Sequence, residues 1–416
     1  MPACNRRTPT DTGGFFMKRT LFCNAELICP NGQRRGGLLV ENGTISAVLS
    51  PDLPAEGDFE RVDLHGAYLA PGFIDIHVHG GGGGDFMDGT RESFAAALST
   101  HLSHGTTALC PTTLAAAFSE LEAVFTRCRE FQNAPDAVSR PRILGAHLEG
   151  PFIAAAMKGA QDEEYIRSPT DGSYSEILGL ADGILRIWTT APELPGAPEL
   201  ERAARREGVL LSVGHSDGRL EDVERAVENG YTMVTHLYSS MSTIIRENGM
   251  RRPGVLEAAL LLDPLTAEVI ADGMHLPPSL LRLIVKTKGV DGIILVTDAM
   301  RAAGMPAGRY KLGSLLRGQD VVADGQIARM PDGISFAGSV ATADRLVRVM
   351  HEQASVPLWQ AVRMMTLNPA KALGLRHIGA LEAGKQADLV VFGPHVAVQE
   401  VYRDGQLVWK HSEQKV

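Results

Sequence analysis

Cysteine is scarce and unpatterned in this 416-residue chain: Cys4, Cys23, Cys29, Cys110 and Cys128 are odd in number and show no C-x-x-C spacing. That excludes a cysteine-based zinc site and a disulfide framework, and it fits reduced thiols. Long apolar runs are missing too, so nothing approaches the length needed to span a membrane. The first sixteen residues, MPACNRRTPTDTGGFF, lack the apolar core of a signal peptide, which makes cytoplasm the expected location. Basic residues do not exceed acidic ones; 40 Lys and Arg stand against 49 Asp and Glu, for a formal charge of −9. A nucleic-acid or membrane-surface partner is therefore not expected, and an anionic ligand would need a local basic pocket. MKRTLFCNAELI opens like a strand at Met17, so residues 1–16 are read as a disordered N-terminal extension and Met17 as an alternative start.

With 44% hydrophobic and 21% charged residues, the chain has the makeup of a soluble globular protein and the length for a large α/β domain plus a smaller one. Both ends look like β-structure. LFCNAELIC and GGLLVENGTISAVL lie at one end, ADLVVFGP and VQEVYRDGQLVWK at the other, with ENG and RDG as turns. Neither end carries enough apolar surface to stand alone, so residues 17–70 and 375–416 are expected to build one small β-sandwich. Between them, residues 71–374 alternate short apolar runs with amphipathic helices. The runs are FIDIHVH (73–79), TTALCPT (106–112), RILGAHLE (142–149), ILRIWTTAPE (184–193), VLLSVGH (209–215), YTMVTH (231–236), LTAEVIAD (265–272) and GIILVTD (292–298). LEDVERAVENG shows the helical half of the pattern, with Leu220, Val223, Ala226 and Val227 on one face and Gly230 as the stop. Eight such units predict a (β/α)8 TIM barrel, whose active site sits at the C-terminal strand ends.

Those ends carry His77 and His79, Glu149, Glu193, His215, His236, Asp272 and Asp298. Side chains two apart on a strand share a face, so His77 and His79 can reach one ion. A hydrolytic metal site needs neutral imidazoles and carboxylates, an open position for water and an unligated base. His77, His79, Glu149, His215 and His236 supply the ligands and Asp298 the base. His147 faces the same way as Glu149 and is read as packing, although a supporting contact to the site is the alternative. Glu193 is a hydrogen-bond acceptor near the site or a helix N-terminal charge. His101, His104, His351, His377, His395 and His411 lie away from strand ends and are read as solvated or structural. The five consecutive glycines at 80–84 suggest a low-bulk loop beside the metals that leaves room for substrate.

In order, PGFIDIHVHG, HLEGP with MKGA after it, SVGHS, THLY, IADGMH and LVTDAM resemble the N-acetylglucosamine-6-phosphate deacetylases of the amidohydrolase superfamily. The similarity runs from about Leu21 to about Trp409 and includes TLNPAKALGL and GALEAGKQADLVVF. Superfamily members that bridge two metals with a carbamylated lysine carry it at the end of the fourth strand, where this chain has APE; this argues against a dihydroorotase or hydantoinase. The resemblance implies that Glu149, His215 and His236 hold the principal metal and that His77 and His79 hold a second ion sharing Glu149. It implies one or two divalent ions per subunit, with zinc leading and iron, manganese or cobalt as alternatives. It also implies that Asp298 takes a proton from the attacking water and returns it to the departing amine.

For an amino-sugar phosphate, His275 matches a substrate-contacting position. Arg246 matches, after a one-residue gap, an arginine that reaches the phosphate from a neighbouring subunit, so a homodimer is expected. Arg251 and Arg252 compete for that match, and a solvated basic turn is the alternative for all three. Two departures fall in the substrate shell: the asparagine usual after THLY is replaced by Ser239 and Ser240, and the usual KGAH histidine is Gln161. The implied reaction is deacetylation of N-acetylglucosamine 6-phosphate in amino-sugar catabolism. Alternatives are another N-acetyl-hexosamine phosphate such as N-acetylgalactosamine 6-phosphate, an N-acyl-amino-acid or dipeptide hydrolase, and a member that has lost catalysis.

Overall fold

The computed structural model describes residues 19–51, 58–333 and 335–412, so the extension expected at 1–16 lies outside the described residues. The eight apolar runs form a parallel barrel. Its strands are Phe73–Val78, Thr106–Thr113, Ala146–Glu149 with a short Arg142–Ile143 segment before it, Leu185–Thr190, Leu210–Val213, Tyr231–Val234, Thr266–Val269 and Ile293–Leu295. Every residue of the first two is buried, as expected of strands covered on both faces. Neighbours pair in chain order, from the first strand with the second through to the seventh with the eighth.

The remaining seam, between the eighth strand and the first, is closed past the end of regular pairing. The Asp298 N–H donates to the His77 carbonyl at 2.9 Å. Thr297 donates its hydroxyl to Asp75 Oδ2 at 2.5 Å and its N–H to Oδ1 at 3.2 Å. Inside the barrel Ile74, Ile76, Ala108, Ile187, Met233 and Ile294 fill the lower layers, leaving the upper rim to polar groups. Helices such as Arg91–Ser103, Phe118–Gln132, Ala197–Arg206, Leu220–Glu228 and Pro278–Lys288 cover the outside. The predicted helix at Leu220 ends at Glu228, and Gly230 follows with φ 98°.

The two chain ends meet in one eight-stranded, mostly antiparallel sheet. Tyr68–Pro71, from the N-terminal part, pairs antiparallel with Leu389–Phe392 from the C-terminal part. This sheet has its own core of Phe22, Leu27, Leu38, Ile45, Leu69 and Leu389. A further feature has no counterpart in the sequence reading: a three-stranded insertion, Gly308–Leu312, Gln319–Ala323 and Ala328–Arg329, follows the eighth strand and overhangs the rim.

One ion pair ties the end of the first barrel helix to the helix Ala343–Arg348. His104, just after Ser103, places Nδ1 3.1 Å from both carboxylate oxygens of Asp344, which also accepts the Thr342 hydroxyl. Burial opposes the charged imidazole and Arg348 repels it, yet the Asp344 bond and charge win and raise the His104 pKa above 6.5. Burial likewise opposes the Asp344 carboxylate, and the His104 bond and charge win there, lowering its pKa below 3.8. A raised histidine contributes stability that is full below its unfolded pKa and lost as pH rises through the folded one; a lowered carboxylate loses its contribution as pH falls through its folded pKa. The pair is therefore complete between about pH 4 and 6.5. His104→Ala is expected to cost roughly 1 kcal/mol more at pH 6 than at pH 9.5, a modest figure because the side chain is 35% exposed. Urea unfolding at the two pH values measures this, and equal costs would show that the pair contributes nothing.

Candidate active site

The barrel strands deliver the site residues to one rim. His77 lies one residue before the end of the first strand and His79 one beyond it, Glu149 ends the third, His215 and His236 lie two residues past the fifth and sixth, and Asp298 follows the eighth. Three of them leave the strand by a left-handed turn, with φ 48° at His215, 29° at His236 and 48° at Asp298. Non-glycine residues seldom adopt this region, and such strain persists where the surroundings over-determine it. Here the chain supplies the restraint: Asp298 bonds through its N–H to His77 and through its carbonyl to the Ser339 N–H. Gly214 makes room for the turn at His215, since a Cβ there would sit 2.5 Å from the Thr189 methyl.

The candidate ligand atoms and the Asp298 carboxylate fall into two groups that touch at Glu149. In the first, Glu149 Oε1 lies 3.0 Å from His215 Nε2 and 2.9 Å from His236 Nε2, and the two nitrogens are 3.2 Å apart. In the second, His77 Nε2 and His79 Nε2 are 3.3 Å apart, and Asp298 Oδ1 lies 3.5 Å and 3.1 Å from them. Glu149 reaches toward this group with Oε1 3.6 Å from His77 and Oε2 3.5 Å from His79. Two nitrogens on one tetrahedral zinc at 2.0–2.1 Å lie about 3.3 Å apart, so both groups fit a divalent ion in spacing and in donor chemistry.

Tautomers fit as well. His215 Nδ1 lies 2.7 Å from the Met157 carbonyl, which only accepts, so a neutral ring carries its proton there and leaves Nε2 free for a metal. His77 Nδ1 faces Glu268 Oε2 at 3.0 Å in the same way. His147 sends Nδ1 to the Ile76 carbonyl and Nε2 to Thr189, and its ring packs on His77 at 4.6 Å between centroids, so it supports a ligand by packing.

Burial and charge divide the imidazoles. Burial pushes His77 down to about 4. It also opposes charge on His79 and His236, but the Asp298 bond at the first, the Glu149 bond at the second and nearby carboxylates prevail, and both are pushed up to about 9. Against burial, His77, His215 and His236 hold Glu149 well below its ordinary value, and His79 and His77 hold Asp298 below its own. Without a cation the site offsets its carboxylates with protons; a divalent ion does the same with more charge. Glu268 and Asp75, buried beneath the ligands, are each pushed up to about 7 by desolvation.

A cleft of about 380 Å³ opens over this cluster, lined among others by Gln161, Tyr238, Ser239, Ser240, His275 and Phe336. Asp272 aims His275: its Oδ2 is 2.8 Å from Nδ1, while its Oδ1 accepts the N–H groups of Met274 and His275. The imidazole packs against Phe336 at 4.5 Å between centroids. Ser239 and Ser240 stand on the wall as the sequence suggests. Gln161, expected to face substrate, has both ends of its amide engaged by protein: Nε2 donates to Glu149 Oε2 and Oε1 accepts the Ala115 N–H, each at 2.7 Å. Arg246, Arg251 and Arg252 sit on an exposed hairpin, Ile245–Glu247 with Met250–Arg252, and do not line the cleft. Glu193 accepts from the Ser216 hydroxyl at 2.6 Å and the Asp217 N–H at 2.7 Å, fixing the turn after His215.

The glycine run differs from expectation. Residues 80–84 line no part of the cleft; they pack against the helix Arg91–Ser103, and His101 Nε2 donates to the Gly80 carbonyl at 2.9 Å. Their small size admits a helix, not a substrate. Glu268 is not among the residues the sequence points to, although a carboxylate in the middle of the apolar run LTAEVIAD is a signal for it. Phe336 had no such signal, because it arrives on the loop after the insertion.

A parallel eight-stranded barrel with imidazoles and carboxylates gathered at one rim around a cleft defines an enzyme of the amidohydrolase class. Residues 68–408 match the model of the amidohydrolase family. An N-acetylglucosamine-6-phosphate deacetylase of Lysinibacillus sphaericus is 34% identical over 361 residues, covering 87% of this chain and 90% of that protein. The one from Homo sapiens is 35% identical over 364 residues, covering 84% and 86%. The deacetylase of Mycobacterium smegmatis, solved in complex with N-acetyl-D-glucosamine-6-phosphate, superposes with a TM-score of 0.84 at 32% identity over 94% of this chain and 99% of that one. The chain belongs to the amidohydrolase family and, within it, to the N-acetylglucosamine-6-phosphate deacetylases.

Proposed function

We propose that the protein removes acetate from N-acetylglucosamine 6-phosphate, using Glu149, His215 and His236 to hold a principal divalent ion, zinc before iron, manganese or cobalt, and His77 with His79 to hold a second. The observation that carries this is the convergence of those ligand atoms with Asp298 at the head of the cleft. A divalent ion held there supplies Lewis acidity, which makes water nucleophilic near neutral pH and polarises a carbonyl. Asp298, held ionised beside His79, accepts the proton of the attacking water through Oδ1 and delivers it to the amine nitrogen as the C–N bond breaks. His275, with Nδ1 tied to Asp272, presents Nε2 to a sugar oxygen, and Ser239 and Ser240 offer hydroxyl and backbone donors.

No lysine or arginine is among the described residues lining the cleft. A phosphate dianion there would lack a compensating cation, which supports a homodimer in which Arg246 on the exposed hairpin of one copy reaches the cleft of the other. The same reading assigns residues 17–70 and 375–416 to the β-domain, which has an apolar core of its own, and 71–374 to the catalytic barrel. Among the described residues no helix is long and apolar enough to cross a membrane, in keeping with a cytoplasmic setting.

Acetate release by metal-replete protein tests the reading. The panel is N-acetylglucosamine and N-acetylgalactosamine, each with and without the 6-phosphate, plus an N-acetyl-amino acid. Preference for the phosphorylated glucosamine derivative by at least about 100-fold in kcat/KM is expected, the scale of roughly 3 kcal/mol of selective binding. Equal turnover of the unphosphorylated sugar, or a preference for the galactosamine derivative, would overturn the substrate assignment.

A further inference from the structure

We infer that Gln161 is a positioning residue that ranks the two metal positions, holding Glu149 for the ion at His215 and His236 and weakening the one at His77 and His79. The inference rests on the metal-hydrolase reading of the site. The orientation of the Gln161 amide is fixed without ambiguity. Its Oε1 receives the Ala115 N–H, a group that only donates, so Nε2 must be the end that faces Glu149 Oε2. Both bonds are 2.7 Å and the side chain is 2% exposed, so no water competes for it.

That bond makes the carboxylate asymmetric. Oε1 points at His215 and His236 from 3.0 and 2.9 Å, with no other side-chain donor on it. Oε2, the oxygen nearer His79, stands 3.5 Å away and already carries the Gln161 hydrogen bond. A carboxylate serving both ions through separate oxygens would offer Oε1 to the first and Oε2 to the second. Here the oxygen available to the second position is engaged by a neutral donor, and rotating it toward His79 would stretch the bond to Gln161 or pull Gln161 from Ala115. Hydrogen-bonded groups behind a ligand commonly change metal affinity by about 10–100-fold.

Stepwise zinc titration of chelator-stripped protein, followed by calorimetry, tests this with a readout that does not involve turnover. The wild-type protein should take a first ion at least about tenfold tighter than a second, and anomalous scattering with one equivalent of zinc should place that ion at Glu149, His215 and His236. Gln161→Met keeps the length and removes the donor; it should weaken the first ion and bring the two dissociation constants at least about tenfold closer. Gln161→His retains an N–H donor and should keep a ratio near that of the wild type. Loss of the Ala115 bond lowers stability without altering that ratio, so the melting temperature serves as the control for a merely structural role. An unchanged ratio in Gln161→Met overturns the inference while the metal site stands. An equal collapse in Gln161→His also overturns it, because the effect would then follow packing and not the donated bond. If the wild-type protein binds no zinc, the metal reading falls and the inference with it.

Discussion

Asp298→Asn is expected to lower kcat for acetate release by about 10²–10⁴-fold, the range over which a positioned acid–base group contributes. Asparagine keeps the shape and the backbone bonds of Asp298 to His77 and Ser339. It removes the oxygen that can accept a proton next to His79, so the loss should fall on kcat with little change in KM. A second readout is independent of turnover. The Asp298 hydrogen bond and charge are among the forces that push His79 up to about 9 against burial, so in metal-free variant protein its titration should move downward. Activity within tenfold of wild type would assign the proton transfer to another group.

The second large effect concerns folding. A Cβ on Gly84 would lie 2.3 Å from the Ser93 carbonyl oxygen and 2.8 Å from its Cα, both backbone atoms of a helix that cannot yield. Gly84→Val is therefore expected to destabilise the protein by about 3 kcal/mol or more, as overpacking against fixed backbone does. Gly179 lies within the helix Tyr174–Ala181 with nothing within 4 Å of a Cβ, so Gly179→Ala should be neutral or stabilising by roughly 0.5–1 kcal/mol. Urea midpoints at constant slope decide between them. Similar costs at the two positions, or a Gly84→Val protein that folds normally but turns over slowly, would restore the idea that the glycines make space for substrate.

The barrel and the gathering of candidate ligands at its strand ends are legible because parallel strands repeat a simple rule: a buried apolar run, then a polar residue at the same rim. His77, His79, Glu149, His215, His236 and Asp298 each end such a run. What was not legible depends on partners distant in the chain. Gln161 is read as a substrate contact from the resemblance alone, and nothing local announces its bonds to Ala115 and Glu149, 46 and 12 residues away. The glycine run suggested an open loop because the helix that fills the space begins only at Arg91, and which face it turns inward is set by packing. The insertion after the eighth strand alternates too weakly to stand out, with exposed Val322 beside buried Val321 and Ala323.

The seam between the eighth and first strands has a consequence for biogenesis. Thr297 and Asp75, which help close it, are 222 residues apart, and Asp298 sits in the same stretch, bonded to His77. A nascent chain therefore cannot bring Asp298 beside the first histidine pair until most of the barrel has been synthesised and its ends have met. Any state that opens this seam, even with the rest of the barrel standing, parts Asp298 from the histidine pair before it dismantles the fold.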